Sequence, residues 1–164
     1  MKKIFTLILS TVILSSVSVN AGAQTFEQSF TKGSNRVYAA VGLPAISIGT
    51  FGLSGYGAYE RGIFAADAFV IGAGVDLEVG AENSTMSIST EAILKTHYKF
   101  SSRFDVAVGA GLGYGRYGHI YSLTRSVSMT GVYAVTSKLS AIADLSLNSI
   151  PGRGALKLGV AFSL

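Results

Sequence analysis

The property that most constrains this chain is a hydrophobic period of two. Between residues 104 and 115, Phe104, Val106, Val108, Ala110, Leu112 and Tyr114 fall on one face, and Asp105, Ala107, Gly109, Gly111, Gly113 and Gly115 on the other. Alternation sustained over about a dozen residues specifies an extended strand, and a longer one than the roughly 5–6 residues usual in soluble proteins. The pattern recurs. Phe69, Ile71, Ala73, Val75, Leu77 and Val79 oppose Ala68, Val70, Gly72, Gly74, Asp76, Glu78 and Gly80. Thr90, Ala92, Leu94, Thr96, Tyr98 and Phe100 oppose Glu91, Ile93, Lys95, His97 and Lys99. Leu139, Ala141, Ala143, Leu145 and Leu147 oppose Ser140, Ile142, Asp144, Ser146 and Asn148, and the last segment sets Leu156, Leu158, Val160, Phe162 and Leu164 against Ala155, Lys157, Gly159, Ala161 and Ser163.

With three weaker segments the pattern predicts eight strands, over 36–43, 52–62, 66–80, 86–100, 103–117, 122–136, 138–149 and 154–164. Ser101-Ser102-Arg103 and Thr136-Ser137-Lys138 read as tight polar turns, with Arg61-Gly62-Ile63-Phe64 as a third. The connections 43–51, 81–85, 117–122 and 149–153 read as longer and hold both prolines. A soluble sandwich would also alternate, but its water-facing side would be rich in Lys, Glu and Thr. Here the polar face is mostly Gly, Ala and Ser with isolated charges. Small residues suit the inside of a narrow barrel. An apolar outside, strands near or above about 9–11 residues and an even strand count suit a bilayer. Closure also removes the unpaired edges that lipid does not tolerate. The expected fold is therefore all-β: an eight-stranded antiparallel up-and-down transmembrane β-barrel.

The glycines of Gly109-Ala110-Gly111-Leu112-Gly113-Tyr114-Gly115 raise the alternative of a phosphate-binding loop. A dinucleotide fingerprint needs GxGxxG between a strand and a helix. This run keeps strict alternation and is followed by no helical pattern. Glycines that make room in a lumen, or ease bending of a curved wall, fit better.

The amino-terminal stretch has its own logic. Lys2 and Lys3 precede the mostly apolar Ile4–Val19, and Ala21-Gly22-Ala23 offers a small-x-small cleavage pattern before Gln24. The expected organisation is a cleaved signal peptide over 1–23, an N-terminal periplasmic segment over 24–35 and the barrel over 36–164. No cysteine exists anywhere, which excludes both a cysteine-linked lipid anchor and disulfide staples. Without Lys2 and Lys3 the chain carries 11 basic against 9 acidic side chains, too even a balance to argue for nucleic acid. No apolar window of helical membrane-spanning length follows the leader.

These stretches, in particular Gly57–Phe64, Thr96–Phe100, Val108–Gly115 and the carboxyl-terminal strand, resemble the small eight-stranded outer-membrane β-barrel proteins of Gram-negative bacteria. That class includes the transmembrane domain of outer membrane protein A and the short outer-membrane barrel-domain proteins of Bacteroidota-type bacteria. The resemblance covers essentially the whole mature chain. It implies location in the cell outer membrane, contact with outer-membrane lipid, assembly by the outer-membrane barrel assembly machinery, a monomer, and both termini in the periplasm. The tight turns would then be periplasmic and the longer loops external, though too short for a large receptor or adhesin. The family's last strand usually closes on an aromatic residue, whereas this chain ends in Leu164.

On this register Arg36, Glu60, Asp76, Glu78, Glu91, Lys95, Lys99, Asp105, Asp144 and Lys157 point inward. A mixed set of charges must be paired or hydrated there. An eight-stranded barrel is wide enough only for its own side chains, which favours a salt-bridged plug over a narrow ion path. Tyr59, Tyr98, Phe100, Phe104 and Tyr133 form one expected interfacial band, and Tyr114, Tyr117 and Tyr121 the other. Catalysis has little to work with. His97 and His119 are the only histidines and belong near opposite faces. A lipid-modifying hydrolase built on His119 with Ser122 or Ser126 lacks a recognisable third member or oxyanion hole. No metal or cofactor is implied. Asn83-Ser84-Thr85 fits an N-glycosylation acceptor, relevant only in a eukaryotic secretory setting. The reading is a non-enzymatic barrel with a structural or surface-interaction role in the envelope. Its alternatives are a narrow channel or permeability protein, the hydrolase, and a soluble periplasmic binding barrel.

Overall fold

The computed structural model describes residues 30–44, 52–149 and 154–164. The expected signal peptide lies outside the described residues. Eight antiparallel strands run in chain order: β1 (Asn35–Pro44), β2 (Gly52–Ala66), β3 (Phe69–Glu82), β4 (Thr85–Lys99), β5 (Phe104–Tyr117), β6 (Ile120–Ala134), β7 (Leu139–Asn148) and β8 (Gly154–Ser163). Each pairs with its neighbours in sequence, and β1 pairs with β8, closing the barrel. The eight-stranded up-and-down architecture is the one that the alternation calls for.

The closure is staggered. From Leu43 the register passes through Leu156, Leu145, Met129, Val108, Thr96 and Ile71 to Phe64. It thus returns to the amino-terminal strand about ten residues earlier than it began, the offset that tilts strands in a narrow barrel. Tilt explains why β2, β4 and β6 need 15 residues each.

Strand polarity is inverted relative to a soluble protein. Arg36, Glu60, Glu78, Glu91 and Asp105 are at most 1% exposed. Leu77, Leu94, Val108, Leu112, Leu123, Val127 and Leu158 are each more than 50% exposed. Water ordinarily enforces the reverse.

The connections differ from expectation in three places. Arg61–Phe64 is not a turn: β2 continues to Ala66 and carries a bulge between Gly62 and Phe64, and the turn falls at Asp67-Ala68. The bulge shifts parity, so Ala65 rather than Phe64 pairs opposite the inward Val70. The connections at 81–85 and 117–122 shrink to the two-residue turns Asn83-Ser84 and Gly118-His119. Asn83 and Ser84 have φ of 48° and 67°, and Gly118 has 59°. Primed hairpin turns require such values because their twist matches that of the strands. The end far from the termini therefore carries two tight turns, and residues 45–51 and 150–153 lie outside the described residues.

At the terminus end, two turns use one device. Ser101 Oγ accepts from the Arg103 and Phe104 amides at 3.3 and 3.1 Å, and Thr136 Oγ1 accepts from the Lys138 and Leu139 amides at 3.2 and 3.0 Å. A hydroxyl at the first turn position thus satisfies amides that have left the ladder.

Candidate functional site

The inward positions of the strands build a lumen that holds polar clusters together with buried apolar side chains such as Ile93, Val132 and Ile142. Near the terminus end, Tyr38 Oη on β1 donates to Glu60 Oε2 on β2 at 2.5 Å. Glu60 Oε1 lies 2.7 Å from His97 Nε2 on β4. His97 Nδ1 is 3.6 Å from Asp105 Oδ1 on β5, and the other oxygen of Asp105 is 3.6 Å from Arg36 Nη1. The register explains the meeting: Arg36 pairs opposite Glu60, and both point inward from adjacent strands.

A second cluster fills the middle. Lys157 Nζ donates to Ser146 Oγ at 2.7 Å, lies 3.4 Å from Asp144 and 3.7 Å from Glu78, and sits 4.8 Å above the Tyr56 ring. Thr130 donates to Asp144 at 2.5 Å and accepts from Lys95 at 3.2 Å. Ser54 donates to Glu78 at 2.6 Å. Lys95 Nζ also lies 5.1 Å from the Tyr38 ring centroid, which joins the two clusters. Further along, Ser126 donates to Glu91, whose own amide donates to Asp76 at 3.0 Å. Among the described residues six buried carboxylates face three buried cations; His97 and Tyr38 meet Glu60, and the hydroxyls of Ser54, Ser126 and Thr130 donate to Glu78, Glu91 and Asp144.

The glycines of β5 serve this packing. A Cβ at Gly109 would come within 2.6 Å of the Lys95 stem, and one at Gly111 would collide with the Glu91 carboxylate and the Ser126 hydroxyl. The lumen void lined by Tyr56, Asp76, Ile93, Lys95, Ser126 and Ser128 is about 10 Å³. That is the threshold for a single water.

The terminus end is covered by the chain itself. Phe30 is 1% exposed, with its ring 4.4 Å from the Arg36 guanidinium and 4.6 Å from the His97 ring. Phe30–Ser34 is tied to the barrel by Gly33 N donating to Gly62 O and Gly62 N donating to Ser34 O. A side chain at Gly62 would strike the Thr31 carbonyl, so this close approach requires glycine.

Of the ten charges assigned inward from sequence, Arg36, Glu60, Asp76, Glu78, Glu91, Lys95, Asp105, Asp144 and Lys157 are buried. Lys99, at the last position of β4, is half-buried and makes none of the contacts above. His97, Tyr38, Tyr56 and Phe30 join these charges in the lumen. Parity identifies the first three. Phe30 precedes the alternating region and carries no such signal.

The aromatic residues fall at the two ends. Phe69, Tyr98, Phe100 and Phe104 form a contiguous row at the terminus end, with successive ring centroids 5.0, 4.8 and 6.1 Å apart. Tyr59 donates to Asn35 Oδ1 at 2.7 Å, and Tyr133 pairs opposite Phe104. Tyr114 and Tyr121 stack at the far end, with Tyr117 opposite Ile120. His119 is exposed in its turn, while Ser126 is engaged by Glu91 inside. No cluster of metal-ligating side chains exists among the described residues. The outer wall bears an open depression of about 450 Å³, walled by Val41, Leu77, Val79 and Leu158 over Ala39, Gly55 and Gly57.

No protein-family model and no curated protein matches the chain. Among solved structures, it is similar to a de novo designed transmembrane β-barrel, with a TM-score of 0.58 at 17% identity, over 82% of this chain and 98% of that one. A second designed barrel, TMB2.3, solved by solution NMR, aligns with a TM-score of 0.46 at 17% identity, over 83% and 98% of the two chains. The first of these likenesses shows a shared β-barrel fold.

Proposed function

We propose that this chain is a small integral outer-membrane β-barrel protein with a structural or surface-interaction role in the envelope, its lumen plugged by its own side chains. The observation that carries the reading is the inverted partition. Every strand except β6 turns a charged side chain inward, and a wall of Leu, Val, Ile and aromatic side chains faces out. In water such a wall would drive association; in a bilayer it is solvated by hydrocarbon. Its aromatic ends fit the interfacial girdles of membrane barrels. The choice of the outer membrane over another bilayer is supported by the leader-like residues 1–23 and by the resemblance to small outer-membrane barrels.

The packed lumen supports a plug rather than a channel, and among the described residues no grouping of nucleophile, base and oxyanion donors favours the hydrolase. Cell fractionation with carbonate washing, followed by planar-bilayer recording of the purified protein, tests both parts. Retention in the outer-membrane fraction and electrical silence are expected. Release by carbonate would overturn the membrane assignment, and stable conductance steps would overturn the plug.

A further inference from the structure

Among the described residues, the two ends of the barrel differ in charge. At the terminus end, outside the lumen, the described residues place Lys32, Arg61, Lys99, Arg103 and Lys138, with Asp67 as the single exposed acidic side chain. Lys32, Arg61 and Lys138 are exposed, and Lys99 and Arg103 half-exposed. At the far end Arg116 and Arg125 accompany Glu82, and Arg116 is directed onto Tyr121, at 3.5 Å from its hydroxyl.

The height of the basic rim is set by the aromatic row. Lys99 stands between Tyr98 and Phe100, Arg103 adjoins Phe104, and Arg61 lies two residues beyond Tyr59 on the same face. Lys138 accepts at its carbonyl from the amide of Ser163, at the end of β8 beside Phe162. Aromatic rings of this kind mark the headgroup level of a bilayer. Long basic side chains within two residues of such rings can carry their charge to the phosphodiester layer.

We infer that this rim is a binding surface for the headgroups of anionic phospholipids in the leaflet at the terminus end. The inference rests on the membrane reading proposed above. The partner is specified by charge complementarity and by continuity with the aromatic row. A lysine or arginine near an anionic surface favours it by about fivefold each. Averaged over all boundary lipid, most of which lies away from the rim, the preference is expected to be about twofold.

The protein reconstituted into phosphatidylcholine membranes carrying trace spin-labelled phosphatidylglycerol or phosphatidylcholine tests this through the motionally restricted lipid fraction. Phosphatidylglycerol should be enriched about twofold at the protein, and the enrichment should vanish in about 0.5 M salt. Lys32→Gln/Arg61→Gln/Lys138→Gln should remove most of it, and Arg116→Gln/Arg125→Gln should leave it intact. The single variants Lys32→Gln and Lys138→Gln, each lowering it in part, keep the test decisive should the triple variant misfold. Equal restriction of both lipids, or loss only in the Arg116/Arg125 variant, would overturn the inference while leaving a membrane barrel. Absence of any restricted lipid would overturn the membrane reading itself, and this inference with it.

Discussion

Replacing Lys157 by Met removes the cation at the centre of the lumen while nearly preserving its volume. The ammonium it deletes is 3% exposed, donates to Ser146, and lies within 4 Å of Asp144 and Glu78. Two carboxylates would then face each other's surroundings without their shared counter-ion. Removing one partner of a buried ion pair costs about 3–5 kcal/mol, because the remaining charge stays buried. The same substitution in a hydrated lumen would cost only about 0–1 kcal/mol, since water screens the orphaned carboxylates. Urea unfolding in phosphatidylcholine vesicles, followed by circular dichroism, separates these regimes. With a slope of about 2 kcal/mol per molar urea, the midpoint should fall by about 1.5–2.5 M. Asp144→Asn added to Lys157→Met should recover part of that loss, the signature of coupled neighbours. A midpoint shift below about 0.5 M, with no recovery in the double variant, would refute a dry, packed lumen.

Three further outcomes follow from the same geometry. Phe30→Ala should lower stability by about 3 kcal/mol in that urea assay, as for other buried Phe truncations, and should speed modification of His97 by diethylpyrocarbonate. Gly111→Leu, which drives a side chain into Glu91 and Ser126, should destabilise by about 1–3 kcal/mol or prevent folding, whereas Gly57→Leu, on the open outer wall, should stay within about 0.5 kcal/mol. Leu112→Lys, at a 56% exposed position near the middle of β5, should cost about 2–4 kcal/mol in vesicles, where a soluble barrel would tolerate it.

The architecture was legible because parity is strict: in β4 the even-numbered outward positions and the odd-numbered inward ones never change places from Ser87 to Tyr98. The same parity that put Lys95 and Glu91 inside also put His97 inside, so the Glu60–His97 contact was partly in reach. Its partner across the barrel was not, because which inward residues meet depends on the stagger, and no single strand encodes that. Arg61-Gly62 carries the residue types of a turn, yet Gly62 is there to let the Thr31 carbonyl approach. Asn83-Ser84 lacks the glycine that usually marks a two-residue hairpin, and the chain instead holds both residues at positive φ. Phe30 was illegible for a different reason: a cap is defined by what it covers, and its own sequence has no period.

The central claim is that the apolar face of this closed barrel is solvated by a bilayer. Electrophoretic mobility of the protein extracted from outer membranes, unboiled and boiled in SDS, tests it most directly. The account predicts a membrane-fraction protein whose unboiled form migrates differently and shifts on heating, as the strand ladder and lumen network open together. A protein recovered in solution without detergent, with one mobility under both conditions, would contradict it.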